Sequence, residues 1–271
     1  MQTATLLDQP RAVGAATVSS KWLDGRSRLE TVYQSGALKV VFPRSTAQIE
    51  GVLVNTAGGI TGGDRFDVQA TAGTGSHLTL TTQAAERAYR AQPGQTGRVS
   101  TQLQVDADAR LDWLPQETIL FEGSALSRRL DVEIASSGRF LMIEPVIFGR
   151  GAMGEELRAA RFRDRVTLRR AGETIYQDGV LLDGDIAAQL DRPAIGGGAR
   201  AMANLVLVGP DAEGALPRVR ERIGPQSGAS LLRPDVLVAR LLAEDSYALR
   251  TRLVPLLDDL TNDTLPRSWR L

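Results

Sequence analysis

The chain has 271 residues, 32 basic side chains balanced by 32 acidic ones, a single histidine and no cysteine. Lack of cysteine excludes disulfides, thiolate metal sites, a cysteine nucleophile and thiol redox chemistry. The even charge balance gives no electrostatic footprint for nucleic acid or an anionic membrane.

The start, MQTATLLDQPRAVG, has neither the basic nor the apolar block of a signal peptide, and no apolar run reaches membrane-spanning length. A cytoplasmic protein is therefore expected. Turn signals then recur through the first two thirds at the spacing of all-β architecture, as at Asp24-Gly25, Gly73-Thr74-Gly75, Pro93-Gly94, Ser136-Ser137-Gly138 and Asp183-Gly184-Asp185. A β-branched run ending at Asn55 leads into Gly58-Gly59-Ile60-Thr61-Gly62-Gly63, a loop that closes on Asp64. Such glycine density marks a sharp turn or a close backbone approach. Ser76–Thr82 alternates, placing His77 opposite Leu78 and Leu80 on what reads as a wet strand face.

Val99, Leu103 and Val105 alternate with Ser100, Gln102 and Gln104, and Leu130, Val132 and Ile134 with Arg129, Asp131 and Glu133. Both read as half-buried strands. Phe140–Phe148 is apolar on both faces and reads as a strand covered on both sides, with Pro145 marking a bulge or an edge. Ala201–Val208 and Asp235–Leu242 are strand candidates. Leu216, Val219 and Ile223 recur at helical spacing before Gly224, and Asp245 caps a second stripe running through Leu249, Leu253, Leu256, Leu257 and Leu260. Pro255 inside that stripe predicts a kink costing about 3 kcal/mol if unrelieved. No linker or repeat interrupts the chain, so residues 1–271 read as one predominantly β domain with two α-helices, mostly in the C-terminal quarter.

The chemistry on offer is narrow. With His77 alone and no Gly-x-Ser-x-Gly elbow, a serine triad has no support. The glycine loop is not followed by Gly-Lys-Ser/Thr, which removes the phosphate cradle, and it occurs once, whereas calcium-binding glycine repeats come in arrays. A tight turn in which Asp64 bonds local backbone stays open beside a functional reading. Carboxylates remain: Asp64, Glu86, Glu117, Glu144, Asp183 and Asp185 lie in or beside apolar or glycine-rich segments. Two facing acids could hydrolyse a glycoside or hold an oxygen-ligated metal, and any one of them could be a salt bridge to arginine.

Several segments, in order along nearly the whole chain, resemble one family. They are Leu53–Asp64 (LVNTAGGITGGD), Leu78–Arg90 (LTLTTQAAERAYR), Leu111–Glu122 (LDWLPQETILFE), Arg139–Glu155 (RFLMIEPVIFGRGAMGE), Leu182–Asp185 and Leu265–Leu271 (LPRSWRL). Together they are similar to the urease accessory protein UreD (UreH) family. The resemblance implies a predominantly β fold of helically stacked sheets with two helices. It also implies a nickel-insertion chaperone rather than an enzyme, partnered by UreF and the GTPase UreG, acting on apo-urease and its dinuclear nickel centre. An internal polar passage for nickel is a further implication.

Nickel(II) favours imidazole and thiolate, and this chain offers one imidazole and no thiolate. No tightly bound cofactor is expected. Transient nickel(II) held by oxygen ligands fits better, with Asp64, Glu86, Glu144 and Asp183 as candidates to line or gate the passage. Nucleic acid and membrane are not expected partners. The competing readings are a carbohydrate-active enzyme using two of these acids, disfavoured by only 3 Trp, 4 Tyr and 6 Phe, and a structural adaptor without metal contact.

Overall fold

The computed structural model describes residues 9–44 and 48–270. Residues 1–8 of the N-terminal stretch and Leu271 lie outside the described residues. The first strands are β1 (Val13–Leu23), β2 (Arg26–Gly36), β3 (Leu38–Val41), β4 (Ile49–Asn55), β5 (Arg65–Ala72), β6 (His77–Thr82), β7 (Glu86–Ala88), β8 (Gly97–Val105) and β9 (Arg110–Leu114). They are followed by β10 (Thr118–Leu120), β11 (Ala125–Ile134), β12 (Arg139–Phe148), β13 (Ala160–Arg170) and β14 (Glu173–Gly184). The last third holds α1 (Ile186–Leu190), β15 (Ala201–Val208), α2 (Ala212–Arg222), β16 (Gly228–Arg233), β17 (Val236–Ala243) and α3 (Ser246–Leu260).

The strands form two sheets. One has the order β14-β13-β11-β8-β5-β1-β2, and the other β16-β17-β15-β12-β9-β6-β4-β3 with β10 and β7 beside β12. Between β4 and β13 the chain alternates sheets, laying β4, β6, β9 and β12 parallel in one and β5, β8, β11 and β13 parallel in the other. Each excursion is one coil stacked on the last, which is β-solenoid-like winding. The inward phases meet in a core including Leu80, Leu103, Leu111, Leu130, Phe140 and Phe162.

A second apolar layer covers the far face of the β12-containing sheet. Leu141, Ile143 and Ile147 of β12 pack there with Val219 of α2, Leu253 and Leu257 of α3, and Trp269. This is why Phe140–Phe148 is apolar on both faces: the sheet lies between two cores. The same cover corrects the wet-face expectation for β6, since Thr79 and Thr81, which share the face of His77, are 1% and 0% exposed. β8 and β11 keep the expected wet face, with Gln102, Gln104 and Arg129 exposed.

Both C-terminal helices follow their local signals. Asp245 accepts a hydrogen bond from the Ala248 amide at 2.7 Å, and α2 stops before Gly224 at φ +84°. α3 continues through Pro255. The short α1 is an additional helix, capped by Asp185, which accepts from the Ala188 amide at 2.9 Å.

Pro145 is at neither a sheet edge nor a register shift; β12 is interior, and its ladder with β15 is regular. The alternation of β12 donors explains this. The Arg139 and Gly149 amides bond towards β9 and β10, and the Phe148 amide bonds towards β15. Pro145 therefore turns its donorless nitrogen towards the interval between β9 and β10, where no strand pairs with it.

Candidate functional site

Between the two sheets lies a cavity of about 290 Å³. Phe66, Val99 and Leu126 line it from one sheet and Leu53 and Trp113 from the other, while the segment from Thr82 to Arg87 borders it. Its charged groups are Glu86, Arg87, Arg128, Arg129 and Glu144. The interior charges arise from the strand phase. Arg128 occupies the inward phase of β11 between Leu126 and Leu130, Asp164 that of β13 between Phe162 and Val166, and Glu144 that of β12 between Met142 and Val146.

The three form one buried group. The Arg128 Nη2 is 2.5 Å from Asp164 Oδ2 and 3.7 Å from Glu144 Oε2, and Nη1 donates to Thr118 Oγ1 at 3.1 Å. The guanidinium also lies over the Phe162 ring, 5.3 Å from its centroid. Burial opposes the Arg128 charge, but the Asp164 and Glu144 carboxylates outweigh it and hold the guanidinium above its ordinary range. Trp113 Nε1 donates to Glu144 Oε1 at 3.1 Å. Glu144 Oε2 is buried without a hydrogen-bond partner, as is Asp164 Oδ1. Burial pushes the Glu144 carboxyl up; Arg128 offsets part of this, and Asp164 adds to it.

Glu86 enters from the other side. Asn55 Nδ2 donates to its Oε2 at 3.0 Å and the Arg87 amide to its Oε1 at 3.0 Å. Burial raises this carboxyl too, against the lowering effect of those hydrogen bonds.

The remaining candidate acids are elsewhere. Asp64 is buried, and both of its oxygens accept backbone amides, Ala12 at 2.8 Å and Thr61 at 2.8 Å. It closes the glycine turn between β4 and β5; Gly58 and Ile60 of that turn line the cavity, and Asp64 does not. Asp183 lies on the surface, 3.4 Å from Arg161. Glu117 is paired with Arg250 at 2.8 Å. Of the four passage candidates, the fold brings Glu86 and Glu144 to one cavity. Among the described residues, no three histidine, aspartate or glutamate side chains converge to hold a metal ion.

His77 is part of a polar knot beneath the helical layer. Its Nε2 lies 2.7 Å from Asp112 Oδ2, and Arg110 Nε donates to Asp112 Oδ1 at 2.9 Å. Arg110 also donates to the Leu260 carbonyl at 3.1 Å, tying the C-terminal end of α3 to β9.

The family of this architecture follows from comparison with known proteins. A family model described as UreD urease accessory protein matches residues 12–270. The chain belongs to the UreD family. It is 57% identical to the urease accessory protein UreD of Roseobacter denitrificans over 271 residues, covering 100% of this chain and 99% of that protein. It is 51% identical to UreD of Ruegeria pomeroyi over 94% of this chain and 99% of that protein, and 43% identical to UreD of Rhizobium leguminosarum bv. viciae over the whole of both. Among the described residues, no helix is long and apolar enough to cross a membrane.

Sequence reasoning missed Arg128, Asp164 and Trp113. For the two charged residues the signal was present: each interrupts the apolar phase of an otherwise alternating strand. Trp113 carried no such signal, because an indole in an apolar phase is ordinary core.

Proposed function

We propose that this chain is a nickel-insertion chaperone in urease maturation. In this reading it is a non-enzymatic scaffold that assembles with UreF and UreG, engages apo-urease and gives nickel(II) a transient path to the dinuclear centre. Membership of the UreD family supports the assembly role. The observation that carries the path is the inter-sheet cavity, bordered by Glu86 and Glu144, with one Glu144 oxygen buried without a hydrogen bond.

The donor chemistry suits passage better than storage. Carboxylate and hydroxyl oxygens bind nickel(II) more weakly than imidazole or thiolate would. Arg128, fixed as a cation beside Glu144, weakens cation binding there further. A weakly held ion can leave, as conduction requires.

The test is activation of apo-urease with nickel, UreF and UreG, with and without this chain, and with Glu86→Gln and Glu144→Gln variants. Activation should depend on the chain and fall with each variant, while the variants still co-purify with UreF. Wild-type activation by both variants would remove the cavity from the nickel path and leave an adaptor. No complex, and no dependence on the chain, would remove the assembly role.

A further inference from the structure

The outer face of the β5-β8-β11-β13 sheet carries a concentration of arginine that the balanced total charge conceals. Register places Arg65, Arg98, Ser127, Arg163 and Leu181 in one row across five adjacent strands. The neighbouring row contains Asp67, Ser100, Arg129 and Arg165. Arg129 is paired with Asp131, and Arg161, beside the first row, with Asp183. Arg65, Arg98, Arg163 and Arg165 are exposed, and among the described residues their side chains have no ion pair or hydrogen bond. Like charges side by side on a sheet repel, so this cluster costs the fold stability and returns none within it.

A shallow groove of about 410 Å³ runs through the patch, lined by Arg98, Ser100, Ser127, Arg161 and Arg163 among others. The sheet fixes the spacing of the guanidiniums. Arg98 and Arg163, two strands apart, have backbones roughly 10 Å apart, and Arg163 and Arg165 are separated by about 6.6 Å along one strand. Planar, always-charged guanidiniums at fixed spacing match carboxylates, which they can bind in bidentate fashion. Leu181, 61% exposed at the end of the first row, adds an apolar contact.

We infer that this face docks a carboxylate-rich segment of a partner protein. Arginine is enriched at protein interfaces, and the exposed Leu181 adds apolar area beside the guanidiniums. Single-stranded nucleic acid would call for aromatic platforms, and the two rows contain none. The inference concerns the outer face of the sheet and is independent of nickel passage through the cavity.

Fluorescence anisotropy of labelled poly-L-glutamate with the full-length chain tests it, with labelled oligothymidylate titrated in parallel. The wild type should bind the glutamate polymer, less tightly as salt rises. The Arg98→Ser/Arg163→Ser/Arg165→Ser variant should lose about tenfold in affinity, and an Arg192→Ser/Arg267→Ser variant, altered at exposed arginines elsewhere, should lose none. Because the three side chains make no hydrogen bond among the described residues, the triple variant should melt no lower than the wild type, which confirms that it is folded. No binding by the wild type, or affinity unchanged in the triple variant, would overturn the inference. Tighter binding of oligothymidylate, lost in the triple variant, would reassign the face to nucleic acid.

Discussion

Arg128 and Asp164 are register partners in the parallel ladder of β11 and β13, and their side chains meet inside the solenoid at 2.5 Å. An ion pair in the inward phase of two adjacent strands takes the place of two core side chains. With Glu144 on the opposite sheet, one cation serves two carboxylates.

Removing that cation should be expensive. Arg128→Met leaves Asp164 and Glu144 buried with no counter-charge, and we expect a loss of about 3–5 kcal/mol in urea unfolding at neutral pH. Arg128→Met/Asp164→Leu should be more stable than Arg128→Met alone, because it removes one of the stranded acids as well. A double variant as unstable as the sum of its singles would mean that the pair is not coupled.

The raised Glu86 carboxyl gives a pH signature. Its folded pKa lies above its unfolded value, so the folded state binds the proton more tightly. Its contribution is full below the unfolded pKa, about 4.3, and is lost as pH rises through the folded value. Glu86→Gln should therefore gain in Tm relative to wild type as pH is raised from about 4 to about 7. A difference that stays flat across that range would show that Glu86 is not held up by burial.

Asp112 has the opposite sign. Burial would push its carboxyl up, but the Arg110 charge and the His77 hydrogen bond outweigh burial and hold it below the ordinary aspartate value. Its stabilisation is present above the unfolded pKa, about 3.9, and is lost as pH falls through the folded value. Asp112→Asn should lose about 3 kcal/mol at neutral pH and progressively less in acid, as read by thermal melts across pH.

The glycine turn should respond as structure rather than as a metal site. Asp64→Ala strips two backbone amides of their acceptor, at about 1–3 kcal/mol for each if it stays buried. Gly59→Ala would put a Cβ 2.2 Å from the Tyr89 ring and should cost about 1–3 kcal/mol. Both losses are read by chemical unfolding. At a temperature where Asp64→Ala stays folded, it should activate urease as the wild type does, and a selective loss of activation would return Asp64 to the nickel path.

The sequence by itself determined whatever depends on neighbours along the chain. Period-two alternation gave the half-wet strands β8 and β11, double-sided apolarity gave the buried β12, and Asp245 and Gly224 bounded helices, because pleat, cap and left-handed turn are local geometry. Only the tertiary structure decided which acids share a space. Glu86 and Glu144 lie 58 positions apart in sequence, and their meeting depends on how coils wound between two sheets fall into parallel register. The wet-face expectation for the strand of His77 failed at Thr79 and Thr81 for the same reason, while His77 stays partly exposed. A strand's alternation reports its own phase, but the layer covering its outer face arrives more than a hundred residues later, with α3 and Trp269.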